Sequence, residues 1–363
     1  MVSSKFGAAS INAIFWFYFA SLMTKEGYGE YGFLLSIATI GHSISMIGLS
    51  STIVVYGAKK EDILGPSYTL GLISSVFVSI LVFIFTNNFF LSLLVVFMTI
   101  FILFTSELAS KKQYKEYSIY IILQRILNIV FAFLLFPLFG INGLLLSFII
   151  ANSPSLKGLA NYLKTEKVTF TIFRPKIKFM INNHLTSLNN ILFWWGDKIL
   201  IGTLFNFSSL ANYQIAVQVL MMLHTIPSAL YIYLVPNESE GKNKSVSKRY
   251  SIVASILITI SSIIFIPTLI DTFLPKFSES IFSIQIMSIA IIPITSYLIL
   301  ESEFLGKGFS LPLILGSTIQ IIVYFSLLVI LGNLYGMDGF SMSFLISSFA
   351  RLIIYFIIKL KNN

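Results

Sequence analysis

Residues 135–148 read LFPLFGINGLLLSF, and a shift of 196 positions brings them onto LGNLYGMDGFSMSF at 331–344. The same shift carries TSELASK (105–111) onto ESEFLGK (301–307) and sets Gln124 on Gln320, Gly140 on Gly336 and Gly143 on Gly339. Earlier in each half, SINAIFW (10–16) is similar to SLNNILF (187–193), and His42 falls on His224 at a shift of 182. Similar words recur in the same order and differ only in loop length. The chain is therefore an internal duplication, and the content of one copy decides the fold.

Each copy is a series of apolar runs. The 363 residues are 56% hydrophobic and only 11% charged, with a mean hydropathy of +0.88, whereas a soluble domain carries roughly 25% charged residues. Runs of roughly 20 residues, enough to cross a bilayer, begin near 7, 30, 65, 89, 117, 138, 179, 208, 250, 280, 309 and 337. They are continuous and unalternating, which excludes barrel strands. About twelve transmembrane helices are predicted, six per half. With an even number of spans both halves enter the membrane the same way up, so the repeat is parallel and a substrate path is expected between two six-helix lobes. The predicted limits are 1–163 for the first lobe, 164–178 for a basic linker and 179–363 for the second lobe. The first run lacks a small-residue cleavage site and is read as a retained helix. Cysteine is absent, which removes disulfides and thiol chemistry.

Lysine and arginine set the orientation. They crowd the termini and every second loop, while the alternate loops hold only Lys25 and Lys276; Arg125, Lys198 and Arg351 fall inside spans. Positive loops stay on the cytoplasmic side, so both termini are predicted to be cytoplasmic, in a cytoplasmic (inner) membrane. The net charge of +9 is accounted for by anchoring to anionic membrane lipid, without nucleic acid. The linker KTEKVTFTIFRPKIK (164–178) is read as a surface anchor of that kind.

Three stretches resemble the polysaccharide-biosynthesis transporters. DKILIGTLFNFSSLANYQIAVQVLMMLHTIPSALYIYLVP (197–236) is similar to the opening of that family's second half. EGYGEYGFLLSIATIGHSISMIGLSSTIVVYGAKK (26–60), with its Tyr31-Gly32 and Gly48-Leu49 pairs, resembles the family's first hairpin, and FLGKGFSLPLIL (304–315) resembles the entry to its eleventh helix. The family includes the O-antigen flippases. Its superfamily, the multidrug/oligosaccharidyl-lipid/polysaccharide exporters, includes multidrug exporters and peptidoglycan-precursor flippases. The resemblance implies a V-shaped, MATE-like pair of lobes that rock between inward-open and outward-open states and move a lipid-linked (polyprenyl-diphosphate) oligosaccharide. It also implies a surface-polysaccharide pathway, with a polymerase and chain-length machinery as partners.

Such cargo would explain charge kept inside spans. Sugar hydroxyls cannot cross hydrocarbon unaided, because each unsatisfied polar group costs several kcal/mol, and cations in a wet cleft attract phosphate. Asp197 and Lys198 lie about 13 Å inside the seventh span. Adjacent helical residues point about 100° apart, so these two are not expected to form a simple pair; at least one is expected to face the cleft. Arg125, about two turns into the fifth span, offers a fork suited to phosphate. Arg351, at similar depth on the last helix, is a further cleft candidate, but snorkelling to the surface is the better reading of it. Trp194, with Trp195, could stack on sugar rings. Asp197, His42 and His224 are candidates for ion or proton coupling, although a duplicated packing role suits the two histidines better. Glu107 and Glu303 are predicted to pair structurally with Lys111 and Lys307 four residues on.

There is no phosphate-cradling glycine loop, serine elbow or metal-ligand spacing in the sequence. No cofactor is expected, and the drive is assigned to an ion gradient (H+ or Na+) or to consumption of the sugar. A multidrug exporter is the alternative within transporters. A membrane glycosyltransferase or polymerase is the alternative among enzymes, but the outer loops FTNNFF, FPLFGING and GNLYGMDG leave little room for an active site. The chain is therefore read as a transporter rather than an enzyme.

Overall fold

The computed structural model describes residues 15–163, 169–240, 245–306, 309 and 311–361, and all regular structure among them is helical. In chain order the helices are α1 (15–22), α2 (Lys25–Met46, resuming through Leu49–Thr52 and a π turn at Ile53–Gly57), α3 (Leu64–Thr86) and α4 (Phe89–Ser110). The run Tyr114–Asn152 breaks at Gly140 into α5 and α6, and α6 continues through a 3-10 turn to Leu156–Leu163. Then come α7 (Ile177–Ile191, a π turn at Leu192–Gly196, then Asp197–Leu204), α8 (Phe207–Ser239) and α9 (Ser245–Phe273). Last are α10 (Ile281–Ile289, then Ile291–Gly306), α11 (Leu311–Tyr335) and α12 (Met337–Lys361). From α2 onward the starts fall within a few residues of those expected from hydropathy. The start expected near residue 7 lies outside the described residues.

Eight described helices are long and apolar enough to cross a membrane, or nine if the bent pair in α2 counts as one span. The α5–α6 hairpin counts once because helical structure runs on through its kink at Gly140, and α7 carries the polar stretch INNHLTSLNN (181–190); the first apolar run lies largely outside the described residues.

The repeat is visible in the backbone. Gly140 and Gly336 both take positive φ, +56° and +58°, and open space surrounds the position of a Cβ at each. Three residues on, a Cβ on Gly143 would lie 2.2 Å from the Leu135 carbonyl oxygen, and one on Gly339 would lie 2.0 Å from that of Leu331. The same tight hairpin is thus built twice, turning on a left-handed glycine and closing on a glycine that lets backbone meet backbone. Gly140→Ala is expected to lower stability by about 1–3 kcal/mol through backbone strain alone, read as a lower melting temperature in detergent. Gly336→Ala should do the same.

The chain packs as two units, one comprising Phe33–Ile199 and the other the described residues 15–32 with Leu200–Asn363. In the first unit α4 is central, lying against α3 and the α5–α6 hairpin; 61% of its apolar stretch is buried, against 22% for α3. In the second, α10 takes the equivalent place among α8, α9 and α12, with 72% buried against 17% for α9. The peripheral helices turn residues such as Phe77, Phe85, Phe265 and Leu269 outward, the surface that lipid would cover.

These units do not follow the limits read from the sequence. The opening segment groups with the second half: Lys276 Nζ donates to the Ser21 carbonyl at 3.0 Å and to that of Met23, and Tyr28 packs edge-on to Phe277. Conversely, α7 as far as Ile199 groups with the first unit, where Met180 joins a core with Met46 and Leu49. The linker is only partly a surface strap. Residues 164–168 lie outside the described residues, while Phe173 and Lys176 are buried, the latter bonded to Glu61 at 2.7 Å and lying over the Tyr56 ring.

Candidate functional site

In the first unit the π turn at Leu192–Gly196 delivers Asp197 and Lys198 into the interior, each 3% exposed. Contrary to expectation they form a direct pair, with Lys198 Nζ 3.1 Å from Asp197 Oδ1. The four-carbon lysine stem folds back along its own turn, which overrides the divergence of the two Cβ vectors. The ammonium also donates to the Trp194 carbonyl at 2.8 Å and lies 5.2 Å over the Trp195 ring. Trp194 therefore contributes its backbone oxygen here, while its half-buried ring sits edge-on to Phe193 at 5.2 Å.

In the second unit Arg351 is caged rather than snorkelling. Its side chain is only 13% exposed. Nη2 donates to Glu301 Oε2 at 2.8 Å, Nη1 to Gln320 Oε1 at 3.0 Å and Nε to the Tyr355 hydroxyl at 3.1 Å. The guanidinium carbon lies 4.4 Å from the Tyr297 ring centroid. Tyr297 and Glu301 are four apart on α10, and Arg351 and Tyr355 four apart on α12, so each pair presents one helix face to the other. A buried carboxylate is available close by, and in an apolar surround that outweighs the reach to the surface. Glu301 is not among the site residues expected from the sequence. Its signal was the asymmetry of the repeat: the shift of 196 sets Glu301 on Thr105 and Arg351 on Ser155, so an acid and a base appear together in one half only. The equivalent of Gln320, Gln124, instead donates to Asn152 Oδ1 at 3.4 Å.

Arg125 is half-buried on α5, beside the buried Gln124. His42 is buried in the first unit and its Nδ1 has no hydrogen-bond partner, whereas His224 Nδ1 lies 3.1 Å from Ser228 Oγ in the second. The matched histidines thus have different surroundings. Glu107 accepts from Lys111 Nζ (2.7 Å), as expected, and also from the hydroxyls of Tyr68 (2.7 Å) and Tyr162 (3.1 Å). Burial would lower the pKa of Lys111, but its bonds to Glu107 and Tyr162 outweigh that and hold it above the usual lysine range. Glu303 takes Lys248 at 2.7 Å and Lys359 at 2.6 Å; its expected partner Lys307 lies outside the described residues. Among the described residues no group of three or more His, Cys, Asp or Glu could hold a metal ion.

The polysaccharide biosynthesis protein family matches residues 19–279. No curated protein matches significantly by sequence. Among solved structures, the lipid II flippase MurJ in an inward closed conformation superposes with a TM-score of 0.80 at 13% identity, over 98% of this chain and 87% of that one. An inward-facing multidrug resistance MATE family transporter of the MOP superfamily gives 0.61 at 13% identity, over 98% and 94%. The MATE multidrug transporter DinF-BH gives 0.60 at 13%, over 99% and 92%. The helical bundle is the fold of these flippases and exporters.

Proposed function

The chain belongs to the polysaccharide biosynthesis protein family, and from that premise we propose that it flips a lipid-linked oligosaccharide across the cytoplasmic membrane by alternating access. The passenger would be a polyprenyl-diphosphate glycan used for a surface polysaccharide such as O-antigen. The observation that carries this reading is the match of a sugar-pathway family to a chain with the fold of a lipid II flippase. A hydroxylated head crosses hydrocarbon only if it is kept wet, and the lipid tail can remain in the bilayer throughout.

Lys198 and Arg351 are each already paired, with Asp197 and Glu301. Their role is therefore read as shaping a polar interior rather than supplying free charge. Arg125 is assigned to meet the diphosphate, because its fork matches phosphate oxygens. Coupling to H+ or Na+ through Asp197, His42 or His224 belongs to the same proposal, as do both termini on the cytoplasmic side and hand-over to a polymerase with its chain-length machinery.

The test is translocation of a labelled polyprenyl-diphosphate sugar in liposomes containing the purified protein. Transport above empty vesicles is expected. Arg125→Ala should reduce it about tenfold or more, the loss of a charge-assisted contact worth roughly 1.5–3 kcal/mol. If wild-type vesicles leave the lipid on its original side while exporting a cationic dye, the multidrug reading replaces this one.

A further inference from the structure

The end of the second unit that holds the α7–α8 and α9–α10 turns contains a recess of about 620 Å³, within the roughly 300–1,000 Å³ usual for small-molecule sites. The lysine bias places this end on the outer side of the membrane. Its lining combines two carboxylates (Glu26, Glu279), two amides (Asn206, Asn212) and two aromatic rings (Phe205, Phe207), with no lysine or arginine.

Several of these groups are held in place. Asn206 Oδ1 caps α8 by accepting from the Ser209 amide at 2.7 Å, which leaves its Nδ2 as a donor. Asn212, only 5% exposed, donates to Glu279 Oε2 at 2.9 Å, and its Oδ1 has no hydrogen-bond partner. Glu279 is exposed but fixed further by Lys25 Nζ at 2.7 Å, and Glu26 is exposed as well. Phe205 stands edge-on to Phe340 at 4.9 Å, so one wall is rigid and apolar.

We propose that this recess is a sugar subsite for neutral or amino-bearing residues of the passenger glycan. A sugar ring presents adjacent hydroxyls that a carboxylate accepts as a pair, other hydroxyls that amides serve in both directions, and a C–H face that packs on an aromatic ring. Glu279 is neutralised by Lys25, so the charge that repels uronic or other acidic sugars and attracts an amine is that of Glu26. The inference rests on the oligosaccharide reading of function and adds where the head group is received on the outer side and what kind of sugar it contains.

The experiment measures binding of three soluble trimers to the purified full chain in detergent: N-acetylglucosamine, glucosamine and galacturonic acid. The first two should bind and the third should not. Glu26→Gln should weaken the neutral and amino trimers about fivefold, the loss of one hydrogen-bonding carboxylate, and Glu26→Lys should admit the galacturonate trimer. Glu26 is exposed, so both variants should keep the wild-type melting temperature. Equal binding of all three trimers by the wild type, or unchanged neutral binding in both variants, would overturn the subsite. Lipid translocation in vesicles is scored separately. If transport is intact and no trimer binds, only the subsite falls; if trimers bind selectively and no lipid moves, only the flippase reading falls.

Discussion

Truncating Glu301 to alanine is expected to lower the stability of the solubilised protein by about 3 kcal/mol, the low end of the range for breaking a buried ion pair. The guanidinium of Arg351 would keep Gln320 Oε1, the Tyr355 hydroxyl and the faces of two tyrosine rings, but lose the anion that neutralises it. Replacing both partners, Glu301→Met with Arg351→Met, should recover most of the loss, since apolar substitutes of similar size avoid burying either charge. Denaturation in mixed detergent, compared across wild type, single and double variants, separates these outcomes. A Glu301→Ala protein as stable as wild type would mean that the cage opens to water and that Arg351 needs no counter-ion.

The second large effect is at Asp197. Alanine there strands the Lys198 ammonium in a site 3% exposed, with the Trp194 carbonyl and the Trp195 ring as remaining contacts. A loss of about 3–5 kcal/mol is expected. The double variant Asp197→Leu with Lys198→Met is the informative one. If it regains stability and also transports, the pair is structural; if stable but inactive in the vesicle assay, the ions act in transport. Asp197→Asn, which keeps the shape, should be the mildest of the three in stability.

What the sequence made legible, and what it hid, divides along physical lines. Span positions, the all-helical fold and the twin hairpins depend on hydropathy and on glycine chemistry, which are local properties of the chain. Gly140 and Gly336 could be matched by inspection and adopt nearly the same φ. Side-chain partnerships depend on where helices meet. Lys198 folding back onto Asp197 needed a π turn that no residue pattern announces. The Arg351 cage needed the register of α10 against α12, which sets Glu301 rather than solvent beside the guanidinium. The grouping of α1 with the second half was hidden for the same reason. The similarity of SINAIFW to SLNNILF pairs the openings of the two halves, but equivalence in sequence does not say which neighbours either opening packs against.

That grouping has a consequence for biogenesis. Lys25 and Glu279, which clasp the opening segment to the α9–α10 turn, are separated by 254 positions in the chain. At elongation rates of about 5–20 residues per second, the ribosome needs roughly 13–50 s to make the second partner after the first. Through that interval the opening helix waits without its permanent neighbours, so a nascent chain stalled before Lys276 presents an orphan span to membrane quality control.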